Sequence, residues 1–180
     1  LIKDISLDTL LKRIANIAKE QVEAQYAALG VLDEEGSLID FVSVGMTKKE
    51  LAKMPNNPKG LGLLGALMDS DEPIRLTNLA DDPRSVGFPE HHPTMRSFLG
   101  VPILTANHQL GQLYLTNKIG GEAFSEEDEQ IIQMLAGYAA AAIQNARLYG
   151  NLRERDITLT QHSEDLALLN DIASALVPTQ

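Results

Sequence analysis

Two pairs of short apolar runs, each folded about a polar turn, constrain this chain most. Tyr26–Leu32 is followed by the turn Asp33-Glu34-Glu35-Gly36 and then by Ser37–Val44. Phe98–Leu104 is followed by a turn around Thr105–Gln109 and then by Gly111–Asn117. Runs of this length joined by turns of this kind form β-hairpins, and a hairpin makes its two strands antiparallel. A sheet built from them must be covered by other elements. After an N-cap at Ser6, the residues Leu7, Leu10, Leu11, Ile14, Ile17, Ala18 and Val22 recur at helical spacing. A second helix begins at Ser125, with Glu126, Glu127 and Asp128 in its first turn, where the helix dipole favours negative charge. Its inner face is expected at Ile131, Ile132, Leu135, Tyr138, Ala139, Ala142, Ile143 and Ala146. Short helices are expected over 48–54 and 61–68, separated by Pro55, Asn56, Asn57 and Pro58, with a brief strand at Pro73–Leu76 and a loop over 77–97. The class is α+β: an antiparallel sheet, the terminal helices on one face, the short helices and the loop over a cavity on the other.

The second long helix has no stop signal near 150. Leu152, Leu159, Leu166 and Ala173 lie seven apart, and Leu148, Arg155, His162, Leu169 and Leu176 form a second series offset by four. These are the a and d positions of a coiled coil, with polar breaks at Arg155 and His162. The expected division is a domain over 1–150 and a coiled-coil signalling helix over 151–180, giving a parallel homodimer through the terminal helices. The alternative is a single amphipathic helix packed on its own domain. The chain opens at Leu1 without methionine and ends in SEDLALLNDIASALVP, which reads as the first helix of a further module.

Composition removes several classes of function. There is no cysteine among the 180 residues, which excludes disulfides, zinc knuckles and thiol catalysis and suits a cytoplasmic setting. A net charge of −10 repels nucleic acid. No apolar run is long enough to span a membrane. Gly60-Leu61-Gly62-Leu63-Leu64-Gly65 matches GxGxxG, but MPNNPK precedes it where a dinucleotide fold needs a buried strand. Its glycines read instead as room for a short helix close to a sheet or a ligand. No nucleophile elbow, P-loop, HExxH or paired-carboxylate motif is present, so the chain is read as regulatory and not as an enzyme.

Two of the four histidines stand together in Phe88-Pro89-Glu90-His91-His92-Pro93. Pro93 holds His92 extended, and Phe88, Met95, Phe98 and Leu99 surround it in sequence. Two readings remain open. One is an imidazole that bonds loop backbone. The other is a neutral imidazole against an apolar cavity, which is what haem iron takes as its protein ligand. His108, in a hairpin turn, and His162, in the coiled coil, are expected to face solvent or to pack.

The segments FLGVPI and GQLYLTNK, with Asn117-Lys118, Phe124 and Asp128-Glu129, resemble a GAF domain over about 5–150. Lys118 is expected to pair with the acidic start of the next helix. More narrowly, GLLGAL, RLTNLADDPRSVGFPEHHPTMRSFLGVPI and FSEEDE resemble the haem-binding GAF domain of dormancy-type oxygen- and redox-sensor histidine kinases. That resemblance implies haem b, with His92 on the iron and Tyr114 on the opposite, gas-binding side. It places Phe88, Met95, Phe98, Leu99 and Leu64 along the cavity and His91 at its rim, facing a haem propionate as Arg75, Arg84 and Arg96 also can. Thr94 departs from the double proline of that family. The alternatives are another small molecule, such as a cyclic nucleotide, or a ligand-free dimerisation module.

Overall fold

The computed structural model describes residues 5–47, 50, 62–85, 92–106 and 108–176, with side chains described within those ranges at 7–150 and at 152. Helix α1 is Ile5–Gln21, so Ser6 lies inside its first turn and not at the cap. Strands β1 (Ala24–Leu32) and β2 (Leu38–Val44) form the first hairpin. Helix α2 is Leu63–Met68, β3 is Ile74–Leu76 and a 3-10 turn covers Leu79–Asp81. Strands β4 (Phe98–Leu104) and β5 (Gln109–Lys118) form the second hairpin, and α3 runs from Glu126 to Leu176. The expected helix over 48–54 lies, apart from residue 50, outside the described residues.

The five strands pair antiparallel in the order β2-β1-β5-β4-β3. The two hairpins therefore lie side by side, joined through β1 and β5, and β5 is central. A strand flanked on both sides and covered on both faces is apolar almost throughout, and β1 is buried at all but one of its positions. Glycine is required where β5 begins: a Cβ at Gly111 would strike the backbone carbonyl of Gly30.

Strand alternation divides the core in two. On one face Leu29, Leu99, Val101, Leu113 and Leu115 meet Leu11, Ile14, Ala15 and Ala18 of α1 and Ile132, Ala136, Ala139 and Ile143 of α3. On the other, Tyr26, Ile74 and Phe98 meet Leu63 and Leu67 of α2 with Leu79 and Met95. Two expectations about helix faces are corrected. Tyr138 is 65 % exposed, not inward, because the buried face of α3 turns through Ile132, Ala136, Ala139 and Ala140. Leu10 and Ile17 sit on the outer side of α1's stripe.

The start of α3 is a reciprocal cap. The Asp128 amide donates to Ser125 Oγ at 3.1 Å, and the Ser125 amide donates to Asp128 Oδ2 at 2.8 Å. Asp128 also receives the expected ion pair from Lys118 Nζ at 3.0 Å. Lys118 Nζ further donates to the Val22 carbonyl at 3.1 Å. One ammonium thus joins the end of β5, the exit from α1 and the entry to α3. Phe124 is 2 % exposed in the same corner. The chain divides into two compact units, Leu1–Ile143 and Gln144–Gln180.

Because Lys118 and Asp128 are both shielded, removing one leaves the other unbalanced in a poorly solvated place. Lys118→Met is expected to lower unfolding free energy by about 2–4 kcal/mol, measured by urea denaturation at unchanged m-value.

Candidate ligand-binding site

The site is built on the face of β5 turned away from α1 and α3. Alternation puts Gln112, Tyr114 and Thr116 on this face and Leu113 and Leu115 on the other. Register sets their neighbours. Gln112 lies between Gly30 and Pro102, Tyr114 between Ala28 and Gly100, Thr116 between Tyr26 and Phe98. Small residues beside Tyr114 let α2 come down onto the sheet. A Cβ at Gly100 would stand 2.7 Å from Leu67 Cδ2 and 2.8 Å from the Phe98 ring.

Tyr114 is held by aromatic neighbours on both sides, with ring centroids 6.2 Å from Phe41 and 6.2 Å from Phe98. Burial alone pushes its phenol pKa far above the ordinary tyrosine value. The group is a neutral donor, and among the described residues no hydrogen bond engages its Oη. Gln112 and Thr116 are 3 % and 2 % exposed, yet Gln112 Oε1 and Thr116 Oγ1 have no hydrogen-bond partner among the described residues. Buried polar atoms are paired in the great majority of cases, so two unpaired ones beside Tyr114 mark this strand. The neighbouring Gln109 is satisfied: its Nε2 donates to the Leu67 and Gly111 carbonyls at 3.1 Å each.

The segment entering β4 carries His92, and Asn117 fixes it in place. Asn117 Nδ2 donates to the Thr94 carbonyl and to Gln25 Oε1, each at 2.9 Å, while its Oδ1 accepts from the Arg96 amide at 2.8 Å. Asn117 does this from a left-handed backbone, φ 59°, a conformation asparagine tolerates better than most residues. His92 is half-buried, with Nδ1 2.9 Å from the Pro93 carbonyl. A carbonyl only accepts, so Nδ1 is the donor in this bond. The imidazole thus bonds loop backbone through Nδ1. Among the described residues no three His, Asp or Glu side chains converge as a metal cluster.

The other expected positions divide. Met95 and Phe98 belong to the cluster against this face, with Tyr114 packed on it. Leu99 does not: it is fully buried in the opposite core, since residues 98 and 100 take the site side of β4. Leu64 is half-buried, and Leu63 and Leu67 take its place in the cluster. Phe88 and His91 lie outside the described residues. Arg75 also faces the helices, where Nε meets Glu129 Oε2 at 3.0 Å and Nη1 donates to the Phe124 carbonyl at 3.3 Å. Arg84 is engaged by Asp82 through Nε and Nη2 at 2.8 and 2.7 Å. Those bonds hold the Asp82 carboxyl down to about 2. His108 is exposed in its turn. Sequence patterns do not single out Gln112, Thr116, Tyr26, Leu63 or Leu67 for this site. Alternation about Tyr114 is the available signal for the first two.

The GAF domain profile matches residues 4–144. The chain belongs to the GAF domain family. Its fold is similar to the GAF domain of a phosphoenolpyruvate-protein phosphotransferase from Coxiella burnetii, with TM-score 0.69 and 28 % identity over 81 % of this chain and 86 % of that one. It is similar also to residues 122 to 287 of a methyl-accepting chemotaxis protein, with TM-score 0.61 and 18 % identity over 82 % and 94 % of the two chains. In sequence it is 23 % identical over 168 residues to the "Probable 3',5'-cyclic phosphodiesterase pde-5" of Caenorhabditis elegans. That match takes in 84 % of this chain but only 22 % of the phosphodiesterase, so this GAF domain spans about a fifth of that relative. No described helix is long and apolar enough to cross a membrane.

The neutral phenol is the form this GAF domain favours. Tyr114 therefore contributes stability below its unfolded pKa of 10.0 and loses it as pH rises beyond that value. In an alkaline absorbance titration, one of the four tyrosines is expected to ionise only together with unfolding. Tyr114→Phe should remove that linked step.

Proposed function

We propose that this GAF domain is the sensory module of a signal-transduction protein, a sensor histidine kinase by its resemblance, and that it binds a small molecule against β5. The observation that carries this reading is that Gln112 Oε1 and Thr116 Oγ1, on either side of Tyr114, have no hydrogen-bond partner among the described residues on a largely apolar face. A face built only to pack would carry apolar side chains there. The role is regulatory, acting through conformations that bind the occupant differently.

The first occupant this supports is haem b, with His92 as its ligand. The residues fit on three counts. The bond from His92 Nδ1 to the Pro93 carbonyl would hold the ring in one orientation. Met95, Phe98, Leu63 and Leu67 form an apolar cluster that would keep water from a porphyrin bound against it. Tyr114 stays neutral and offers an O–H on the strand opposite. Bound iron would supply the gas-binding or redox chemistry, and Asn117 would hold the His92 segment still while it did so. An absorption spectrum after mixing with haemin should then show a sharp Soret band that shifts on reduction and is lost in His92→Ala. Free-haemin absorbance in the wild type would reject this occupant.

The second reading is a cyclic nucleotide or related small molecule, favoured by the likeness to a region of the nematode phosphodiesterase and by Gln112 Oε1 and Thr116 Oγ1, which lack partners among the described residues. Calorimetric titration with cyclic nucleotides tests it directly.

Homodimer formation is the further part of this reading. Met134 and Tyr138 are 61 % and 65 % exposed, and Leu148 and Leu152 61 % each. Met134 and Tyr138 continue the expected a and d series toward the N-terminus by multiples of seven. Light scattering at tens of micromolar should give a dimer, and Tyr138→Lys combined with Leu148→Lys a monomer. A wild-type monomer would remove the dimer.

A further inference from the structure

We infer that Arg75 is a positioning residue that couples the apolar layer over β5 to the start of α3. Its use in signalling rests on the reading that a small molecule binds in that layer. The coupling follows from where alternation puts three neighbouring side chains. Ile74 is buried in the cluster with Leu63, Leu67, Met95 and Phe98, and Leu76 packs against the same cluster. Arg75 leaves on the opposite side. There its Nε meets Glu129 Oε2 at 3.0 Å, and its Nη1 donates to the Phe124 carbonyl at 3.3 Å.

The two bonds of Arg75 straddle the cap of α3. Phe124 precedes Ser125 and Glu129 follows Asp128, and the reciprocal bonds of Ser125 and Asp128 lie between them. The same cap is held from a second strand, because Lys118 at the end of β5 meets Asp128 at 3.0 Å. Two strands of different freedom therefore fix where α3 begins. Strand β5 is paired on both sides, by β1 and β4. Strand β3 is paired on one side only, Ile74 with Gly100, Arg75 with Leu99 and Leu76 with Phe98. Gly100 is also the partner of Tyr114, and a Cβ there would stand 2.7 Å from Leu67 Cδ2. Tyr114, Gly100 and Ile74 thus form one row across the sheet with α2 seated on its middle. A displacement of α2 or of Tyr114 bears on Ile74, the next member of that row. Strand β5 is the more firmly held of the two, so the displacement shifts Arg75 relative to Lys118 and is felt at the cap between them. An ion pair as exposed as this one, 40 % at Arg75 and 23 % at Glu129, contributes little to stability. Its two-pronged geometry fixes orientation instead, which the point charge of a lysine does not.

The test is a double-mutant cycle read by amide hydrogen exchange in the full chain. The reporting amides are those of Asp128 and Glu129, which donate to Ser125 Oγ and to the Ser125 carbonyl at 3.1 Å each. Amides of β1 serve as the reference, so a change in global opening cancels in the ratio. Ile74→Ala perturbs the layer on the site side, and Arg75→Met removes the guanidinium while keeping an apolar stem. Relative to the reference, Ile74→Ala is expected to speed exchange at the reporters by at least about threefold in the wild-type background and to add nothing in the Arg75→Met background. Equal acceleration in both backgrounds, or none in either, overturns the inference. Leu76→Ala replaces Ile74→Ala in the cycle if the latter does not fold. The same amides are then followed on mixing with haemin and, separately, with adenosine and guanosine 3',5'-cyclic monophosphates. Uptake that alters their exchange in the wild type but not in Arg75→Met supports the coupling. Uptake that alters it in both, or in neither, overturns it. A wild type that takes up none of these probes rejects the ligand reading, and the mutational cycle alone then decides whether Arg75 joins the two sides.

Discussion

The corner at Asn117 and Lys118 is what the rest of the domain leans on. Two neighbouring residues face opposite ways at the end of the central strand. Asn117 reaches toward the site and gathers the Thr94 carbonyl, the Arg96 amide and Gln25. Lys118 reaches toward the helices and gathers Asp128 and the Val22 carbonyl. The left-handed backbone at Asn117 lets one strand end serve both sides. Without it the Thr94 carbonyl and the Arg96 amide would lose their side-chain partner, and the start of α3 would lose the Lys118 ammonium. The Asn-Lys pair, read along the chain as a mark of the fold, is therefore a clamp between two layers.

On the site side the physics is a contrast between satisfied and unsatisfied groups. The segment around His92 spends its polar capacity locally, on Pro93 and through Asn117. The face of β5 does the reverse, holding Gln112 Oε1 and Thr116 Oγ1 buried without a partner among the described residues. A buried hydroxyl or amide is costly when unpaired and more useful to a ligand for that reason, since binding restores the hydrogen bond without first displacing another. Tyr114 stands between them as a neutral phenol, because desolvation disfavours its ionised form.

What is readable from sequence is local. Both hairpins follow from turn chemistry and alternation, and the start of α3 follows from Ser125 and the acids behind it. Lys118 with Asp128 is readable because strand end and helix start are only ten residues apart. Leu99 falls on the side opposite to the expected one because its apolar character says that it is buried, not on which face; the register with Leu115 decides that. Tyr138 departs from expectation for a related reason. Helix α3 carries apolar residues on two sides, and periodicity alone does not say which stripe the sheet takes. Arg75 meets a partner 54 residues away, a pairing no local pattern announces. Alternation places Gln112 and Thr116 on the correct face, but that their polar atoms lack partners is visible only once every neighbour is in position.

Strand β3 is three residues long, and its alternation has a mechanical meaning. Ile74 and Leu76 rest on the site cluster, while Arg75 between them grips Glu129 and the Phe124 carbonyl at the root of α3. It lies at the sheet edge, tied by backbone bonds to β4 alone, so it tilts more readily than the central strands. A short beam pressed on one side and hitched on the other is a rocker. The strand therefore joins the site cluster to the root of α3 across a single residue step, so a displacement on one side would be carried to the other.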